Sequence, residues 1–195
     1  NALLKDPQKP LLNRATQALY SPGSTFKLLQ ALVCLQKRVI TPNTQYGCSG
    51  RSSTPIRCTH DHGSPVALIE AIEQSCNPYF WNAYRDLLQK DGYGNGNADF
   101  KRNYKEWRND IISFGFGSTF SDSDIPQQVA GSIPSEKLYN KIYGSKGWKA
   151  ITIRSLSIGQ GEILVTPLQL ANMTATIANK GYYISPHICR SSTNT

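Results

Sequence analysis

Apolar residues at helical spacing mark most of the chain, and stretches rich in Gly, Pro, Ser and Thr separate them. Between residues 24 and 38 they recur every three or four positions, which predicts a helix ending before Thr41-Pro42. A second helix is predicted over VALIEAIEQ, with Ser64-Pro65 as its N-cap and first residue. Three more are predicted over YFWNAYRDLLQK, over DFKRNYKEWRNDIISFG, and from Thr166-Pro167 to Lys180 with Gly181 as the stop.

Five remaining stretches lack a helical period. Residues 41–63 are predicted to be an irregular excursion with room for a hairpin, GYGNGN at 92–97 a flexible loop, and residues 115–150 a long surface excursion. ITIRSLSIGQGEILV places β-branched residues around a Gly-Gln-Gly turn, and Tyr182 to Ile184 is predicted to be one short strand. The pattern therefore predicts an α/β fold of the α+β type, in which helices pack on an antiparallel sheet that this chain builds only in part. The first helix should be central and buried except at its N-terminus.

Composition and charge narrow the class of protein. The chain has 195 residues, 39% of them hydrophobic and 17% charged, which is typical of one folded domain. The net charge of +8 is compatible with binding to an anionic envelope surface or to acidic substrates. The basic residues are scattered and form no run of five or more, which argues against nucleic-acid binding. No apolar run reaches the roughly 18 residues that cross a bilayer. The start, NALLKDP, has no methionine, so we expect an excised piece in which residues 1–2 are a candidate cloning remnant.

Ser24 and Lys27 open the first predicted helix in the stretch SPGSTFK. A lysine is electrostatically unfavourable near a helix N-terminus, where a capping box would have an acid. At positions i and i+3 the two side chains share one face, about 5 to 6 Å apart at Cβ. A desolvated lysine can take a proton from a serine hydroxyl, so the pair predicts nucleophilic catalysis. The alternative is a capping serine beside a solvated lysine.

Ser75 and Asn77 form a second candidate pair, directly after the VALIEAIEQ helix. Residues two apart in an extended or turning segment point to the same side, so both can face one cleft while Cys76 faces away. The alternative is a helix C-cap with Asn77 in a left-handed conformation. The S-x-N pattern also occurs by chance at Ser192 to Asn194.

Taken together and in this order, the motifs resemble a known family. LNRATQALYSPGSTFK, IEQSCNPYF and SLSIGQGEILVTPLQLANMTATIANKGYYISPHI are similar to the transpeptidase domain of class B penicillin-binding proteins, and most of all to the penicillin-binding protein 2 group of cell elongation. S-x-x-K plus S-x-N is the signature of such serine acyl-enzymes. The resemblance covers residues 1–195 as a partial transpeptidase domain and is weakest over 91–150.

The resemblance implies a DD-transpeptidase in cell-wall elongation and cell shape. Ser24 would attack the carbonyl between two terminal D-alanines of a peptidoglycan stem peptide, and Lys27 would be its general base. Ser75 would relay a proton to the leaving amine, and Asn77 would hold the substrate amide and the lysine. A neighbouring stem would then take the acyl group, and a β-lactam would stall at the acyl-enzyme.

The chain departs from the family pattern at the third motif. K-T-G, which should follow ISPHI, does not occur in the sequence. Loss of one oxyanion donor costs on the order of 10² to 10³ in rate, so we expect this chain to be inactive or weakly active on a D-Ala-D-Ala thioester. Two other functions stay open at this point. A serine β-lactamase or DD-carboxypeptidase would deacylate fast, and a non-catalytic β-lactam sensor or interaction module would bind ligand without needing Ser24.

Thiols and imidazoles cluster between the two motifs. Soft thiolates with imidazole suit tetrahedral zinc, and Cys76 would pin the catalytic segment from behind. A disulfide is the competing interpretation, because the family works where thiols oxidise. The resemblance also favours zinc, because some relatives in the penicillin-binding protein 2 group carry zinc in this region. The predicted ligands are Cys48, Cys58, His62 and Cys76, with His60 as the alternative to His62.

The remaining candidates receive no chemical role. Cys34 is predicted to be a small buried hydrophobe, and neither His187 nor Glu162 is assigned a function. The resemblance further implies a bacterial cytoplasmic-membrane protein whose catalytic domain lies in the periplasm or outside the membrane. Its partners would be stem peptides, β-lactams, an elongation glycosyltransferase and scaffold proteins, and no nucleic acid.

Overall fold

The computed structural model describes residues 2–92 and 98–189, and these residues are mainly helical. They form two compact units: residues 2–20, 112–133 and 164–189 make one, and residues 21–92, 98–111 and 134–163 make the other. The helices are α1 (Ala2–Lys5), α2 (Arg14–Gln17), α3 (Phe26–Gln36), α4 (Leu68–Glu73), α5 (Asn77–Leu88), α6 (Ala98–Ile112), α7 (Glu136–Tyr143) and α8 (Pro167–Ala178). Short 3₁₀ helices cover Gly23–Thr25, Gly50–Ser52 and Arg154–Ile158.

Helix α3 carries the first motif and buries one face in the larger unit. The 3₁₀ turn Gly23–Thr25 leads directly into it, so the helix predicted from residue 24 is present with a tighter first turn. Phe26, Leu29 and Cys34 are fully buried, as the apolar spacing requires. The prediction that only its N-terminus is exposed is wrong, because Leu28 and Leu32 are 42% and 39% exposed.

The second motif lies between α4 and α5. Helix α4 begins at Leu68 and not at Ser64-Pro65, because Val66 pairs with Tyr46 through two backbone hydrogen bonds of 3.1 Å. That extended pairing keeps the chain out of the helical conformation for three residues more than predicted. Helix α5 begins at Asn77, and its early proline suits the first turn, where no N–H is needed.

The predicted surface excursion over 115–150 is wrong. Its second half contains α7, and the side chains of Tyr139 and Trp148 are fully or almost fully buried in the larger unit. Trp148 Nε1 donates to Asn140 Oδ1 at 2.8 Å. The rings contact one another in edge-to-face and tilted pairs, at centroid distances of 5.1 to 5.5 Å, in an aromatic cluster of Phe100, Tyr104, Trp107, Tyr139 and Trp148. Phe100, Tyr104 and Trp107 belong to α6, whereas the 115–150 stretch contributes only Tyr139 and Trp148 to the cluster, so no periodic pattern marks its share of the core.

Helix α8 organises the smaller unit. Thr166 and Gln169 form a reciprocal capping box at its start. The buried Gln169 side chain also donates from Nε2 to the carbonyls of Ser118 at 2.8 Å and Ala130 at 2.9 Å. The predicted helix from Thr166-Pro167 is present and ends at Ala178, two residues before Lys180.

The expected antiparallel sheet is not found in the described residues. Their extended pairing consists of three isolated antiparallel bridges, Tyr20 with Val165, Tyr46 with Val66 and Ser132 with Leu164. Tyr182 to Ile184 has no strand partner in this part of the chain, so the predicted strand is wrong. No helix among the described residues is long and apolar enough to cross a membrane. Residues 93–97 of the predicted loop and the chance S-x-N match at 192–194 lie outside the described residues.

Candidate active site and metal cluster

Ser24 lies exposed on the turn that precedes α3. Gly23 adopts a left-handed conformation at φ 58°, which a residue with a side chain rarely adopts. No side chain caps the turn or α3, so Ser24 is not the capping serine of the alternative interpretation. Instead, its Oγ accepts a hydrogen bond from Ser75 Oγ at 3.0 Å.

Ser75 lies between α4 and α5 in a left-handed conformation at φ 49°. This conformation is uncommon for a residue with a side chain and costs about 1 to 3 kcal/mol. The backbone N–H groups of Ser75 and Cys76 donate to the carbonyls of Ile72 at 3.0 Å and Ala71 at 2.8 Å, which closes α4. The alternative interpretation, a helix C-cap with Asn77 in a left-handed conformation, is therefore wrong, because Ser75 is the left-handed residue and Asn77 begins α5.

Lys27 joins the two motifs. Its Nζ donates to Ser75 Oγ at 2.9 Å, to the Ser75 carbonyl at 2.6 Å and to Asn77 Oδ1 at 2.6 Å. Ser75 Oγ therefore bridges Lys27 Nζ and Ser24 Oγ, and the four predicted catalytic side chains form one network. The lysine that sequence analysis paired directly with Ser24 reaches it through Ser75.

Burial changes the chemistry of Lys27. Lys27 is only 3% exposed, and its Nζ lies 5.7 Å from the centroid of the Phe80 ring. Desolvation lowers the pKa of Lys27 to about 8, while the nearby thiols of Cys58 and Cys76 act in the opposite direction. A lysine with such a pKa has a substantial neutral fraction near pH 8 and can accept a proton.

A thiol and imidazole cluster lies behind the second motif. The ligand atoms of Cys48, Cys58, His62 and Cys76 all lie within 4.8 Å of one another. His62 Nδ1 donates to the Gly63 carbonyl at 2.7 Å, which leaves Nε2 free to face the thiols, 3.5 Å from Cys58 Sγ. Three soft thiols and one imidazole at this spacing fit a closed tetrahedral metal site.

His60 is not part of this cluster. Its Nδ1 contacts Thr59 Oγ1 at 3.0 Å, and its Nε2 contacts Gln74 Oε1 at 3.3 Å. Both ring nitrogens are therefore engaged outside the thiol group. Of the two histidines that sequence analysis considered, His62 is the one with a nitrogen aimed at the cysteines.

The two thiols nearest the motif differ in acidity. Burial alone would raise the pKa of Cys58, but hydrogen bonds from the Asn77 backbone and from His62 lower it to about 7. Burial raises the pKa of Cys76 to about 12. A bound cation would favour the thiolate of both, since coordination requires the deprotonated form.

The cluster contacts the catalytic network at Asn77. Cys76 is fully buried and directs Sγ toward the other thiols, while its neighbours Ser75 and Asn77 contact Lys27. Asn77 Nδ2 also donates to the carbonyl of Arg57 at 2.9 Å, next to Cys58. The loop that carries the thiols therefore helps to orient the amide that holds Lys27.

Comparison with known proteins agrees with this arrangement. The model of the penicillin binding protein transpeptidase domain matches residues 2–194. The chain belongs to the penicillin-binding protein transpeptidase family. It is 32% identical over 196 residues to the peptidoglycan D,D-transpeptidase MrdA of Acinetobacter baumannii and 33% identical over 195 residues to that of Haemophilus influenzae, covering 97% and 96% of this chain. It spans 27% of the length of each of these two relatives.

Solved structures of this family share the fold. Pseudomonas aeruginosa PBP2 in complex with WCK 5153 has a TM-score of 0.73 and 31% identity, over 95% of this chain and 38% of that one. The complex of PBP2 with MreC from Helicobacter pylori gives 0.73 and 25%, over 100% and 34%. A peptidoglycan synthase complex, described for its coordination of polymerization and crosslinking, gives 0.70 and 31%, over 96% and 30%.

Several contacts of this transpeptidase-family site are not visible in the sequence. The Arg57 carbonyl and the Phe80 ring contact the network, but neither residue belongs to S-x-x-K or S-x-N, so only the packing identifies these contacts. Glu162, which had no predicted role, accepts a hydrogen bond from Tyr139 at 2.8 Å. His187 is not in the active-site unit, and its Nδ1 donates to the Ser185 carbonyl at 2.9 Å.

Proposed function

We propose that this chain carries the acyl-transfer site of a peptidoglycan DD-transpeptidase in which Ser24 is the nucleophile. One observation carries the proposal: an exposed serine is joined through Ser75 Oγ to a buried lysine that pairs with no carboxylate among the described residues. A buried cation without a counter-charge is costly, so the site raises the neutral fraction of Lys27, and the neutral amine is the form that acts as a base.

The hydrogen bonds support a proton path in both directions. Ser24 Oγ attacks the carbonyl between the two terminal D-alanines, and its proton passes to Ser75 Oγ while the Ser75 proton passes to Lys27 Nζ. The amide C–N bond then breaks, and the leaving D-alanine amine receives a proton from Lys27 by way of Ser75. The acyl-enzyme at Ser24 is finally attacked by the amine of a neighbouring stem, which releases the serine hydroxyl. The backbone N–H of Ser24 would donate to the oxyanion.

Asn77 has two tasks in this proposal. Its Oδ1 fixes the position of Lys27 Nζ, and one Nδ2 hydrogen is held by the Arg57 carbonyl. The second Nδ2 hydrogen is available for the amide of the substrate. The side chain is nearly buried, so its orientation is set by the protein before substrate arrives.

The thiol cluster is proposed to hold a structural zinc ion. Cys48, Cys58, His62 and Cys76 would bind it, and four protein ligands leave no open position for water. The ion would cross-link residues 48–62 to the segment between α4 and α5. The neighbouring Asn77 to Arg57 hydrogen bond would then keep the amide in place.

The family and its relatives suggest the context. We infer that the whole protein acts on peptidoglycan stem peptides in cell elongation, is acylated by β-lactams, and works outside the cytoplasmic membrane to which it is anchored. One solved relative is in complex with MreC and another belongs to a peptidoglycan synthase complex. We therefore propose a scaffold protein and a glycosyltransferase as partners.

The deciding experiment is intact-protein mass spectrometry after incubation with benzylpenicillin, with Ser24→Ala in parallel. A penicilloyl adduct on the wild type and none on Ser24→Ala is the expected result. The sequence contains no K-T-G, so the same experiment on a longer chain that includes this motif is the positive control. If the longer chain is not acylated either, or if Ser24→Ala is acylated equally well, the proposed function is wrong.

A further inference from the structure

The Gly-Gln-Gly turn at residues 159–161 has no role in the mechanism above, yet it touches the turn that carries the nucleophile. Gly159 follows the 3₁₀ helix Arg154–Ile158 and has a left-handed backbone, with φ 68° and ψ 33°. Its carbonyl accepts a hydrogen bond from the backbone N–H of Gly23 at 2.8 Å. Gly23 is the residue immediately before Ser24.

The approach between the two segments leaves no room for a side chain at position 159. A Cβ there would lie 2.5 Å from the Gly23 carbonyl oxygen, 2.5 Å from Phe26 Cβ and 3.1 Å from the Gly23 nitrogen. Two of these atoms are backbone, and Phe26 is fully buried with its ring 6.4 Å from that of Trp107. None of the three can move aside without displacing the nucleophile turn or the core beneath it.

The segment before Gly159 is itself held firmly. Leu156 and Ser157 are fully buried, and Ser157 Oγ donates to the Arg154 carbonyl at 2.6 Å. After the turn, Ile163 is also fully buried. The turn is thus supported on both sides by core residues, so a change at position 159 is transmitted to the Gly23–Ser24 backbone instead of being absorbed by the 154–163 segment.

We propose that Gly159 is a positioning residue for the nucleophile. Its missing side chain and its carbonyl set the position of Gly23, and through Gly23 they keep Ser24 Oγ within hydrogen-bond distance of Ser75 Oγ. The inference rests on the proposed function for its catalytic consequence, whereas the contact itself does not depend on that function. Gly159 touches neither the reacting atoms nor the substrate in this arrangement.

Gly161 provides a matched control in the same turn. It also has a positive φ, 75°, so Gly161→Ala introduces comparable backbone strain. A Cβ at position 161 would meet Ser155 Cβ at 3.3 Å and Leu156 Cδ2 at 3.5 Å, and it would touch no atom of the nucleophile turn. Gly159→Asn adds a second comparison, because asparagine tolerates the left-handed region but still carries a Cβ.

Two readouts test the inference, and the first is independent of activity. Hydrogen exchange of the Gly23 amide, measured by NMR, should be at least tenfold faster in Gly159→Ala than in the wild type and unchanged in Gly161→Ala. The second is benzylpenicillin acylation of Ser24, in which Gly159→Ala should lower the limiting acylation rate at least tenfold with little change in the concentration for half-saturation. Gly161→Ala should stay within about threefold of the wild type. Gly159→Asn should resemble Gly159→Ala.

The outcomes separate the inference from the proposed function. Equal effects of Gly159→Ala and Gly161→Ala on both readouts would overturn the inference, because strain alone would then explain them. A wild-type rate of Gly23 amide exchange in Gly159→Asn would also overturn the inference, because relief of backbone strain alone would then explain the recovery. If the wild type is not acylated even in a chain that includes K-T-G, the proposed function fails, and Gly23 exchange alone decides whether Gly159 positions the turn. Far-ultraviolet circular dichroism of each variant verifies that it is folded.

Discussion

Lys27 gains nothing from the helix dipole, because it lies in the first turn of α3, and it forms no ion pair within the described part of the chain. Other contacts stabilise Lys27 at this position. Ser75 and Asn77 accept its three hydrogen bonds, and the Phe80 ring packs against it. Burial then lowers the pKa of its ammonium group to about 8. At the scale of the residue, the site consists of one lysine whose solvation has been replaced by oxygen atoms of Ser75 and Asn77.

The pH dependence of acylation tests this pKa. Because neutral Lys27 is the base, the rate of benzylpenicillin acylation should rise with pH and level off above a midpoint near 8, well below the ordinary lysine value of 10.5. Mass spectrometry of samples quenched at successive times, from pH 6 to 10, gives the acylation rate as a function of pH. Lys27→Arg is the control and should stay unreactive throughout, since arginine keeps its proton. A profile that is flat, or still rising at pH 10, would contradict the assignment.

Ser75→Ala should break the link between the base and the nucleophile. The only hydrogen-bonded connection from Lys27 Nζ to Ser24 Oγ in the described residues runs through Ser75 Oγ. We expect acylation to fall by about 10² to 10⁴, the usual contribution of a proton-transferring group. Ser21→Ala, an exposed serine three residues before the nucleophile, is the matched control and should acylate normally. Wild-type rates in Ser75→Ala would show that Lys27 reaches Ser24 directly.

Element boundaries decide where these side chains lie. Helix α4 ends at Glu73 and α5 begins at Asn77, so the two helices are connected by only three residues, which include the left-handed Ser75 and the buried Cys76. The 3₁₀ turn before α3 similarly presents Ser24 outward while Lys27, one turn later, is buried. The motifs therefore mark helix ends, where backbone direction changes and side chains from different elements converge.

In the smaller unit, the Gln169 side chain on α8 connects several backbone segments through its hydrogen bonds. Its Nε2 donates to the carbonyls of Ser118 and Ala130, and its Oε1 accepts from the Thr166 N–H. Gln169→Leu keeps the volume but leaves these buried backbone groups without partners, so we expect a loss of about 2 to 4 kcal/mol in the free energy of unfolding. Urea denaturation measures it. Thr174→Ala, an exposed substitution on the same helix, should cost less than about 0.5 kcal/mol; equal losses would contradict the role of Gln169.

At the scale of the whole molecule, the described residues contain no sheet, and contacts between side chains distant in sequence connect the elements. The four candidate metal ligands are contributed by positions as far apart as 48 and 76, and the catalytic network joins positions 24 and 77. Closing such loops costs chain entropy, which a bound ion would offset on folding. Residues 2–194, which match the transpeptidase family, include all the residues that these links join.

Removal of the metal should destabilise the protein globally. We expect about one equivalent of zinc in protein never exposed to chelator, and a lower unfolding temperature after chelation. The free-energy loss is about 4 kcal/mol if free zinc had stood a thousandfold above its Kd. Cys58→Ser should lose the zinc, while Cys189→Ser, an exposed thiol outside the cluster, should retain it. Elemental analysis and thermal melting measure both effects. Zinc-free protein whose Cys58→Ser variant melts at the wild-type temperature would reject the metal.

Local sequence patterns account for the candidate chemistry and for most of the helices. Motif residues 24, 27, 75 and 77 and the thiol-imidazole group could be named because residue type and order carry that information. Helical periodicity likewise located α3, α5, α6 and α8, since one buried face repeats locally. These features depend on neighbours within a few positions of the chain.

Tertiary structure alone decided the rest. The bridging role of Ser75 and the burial of Tyr139 and Trp148 depend on contacts between residues distant in sequence, which no local pattern encodes. The close approach of Gly159 to Gly23 is of the same kind, because a missing side chain leaves no periodic signal. Local pattern therefore supplied the reacting groups, and long-range packing set their solvation, direction and partners.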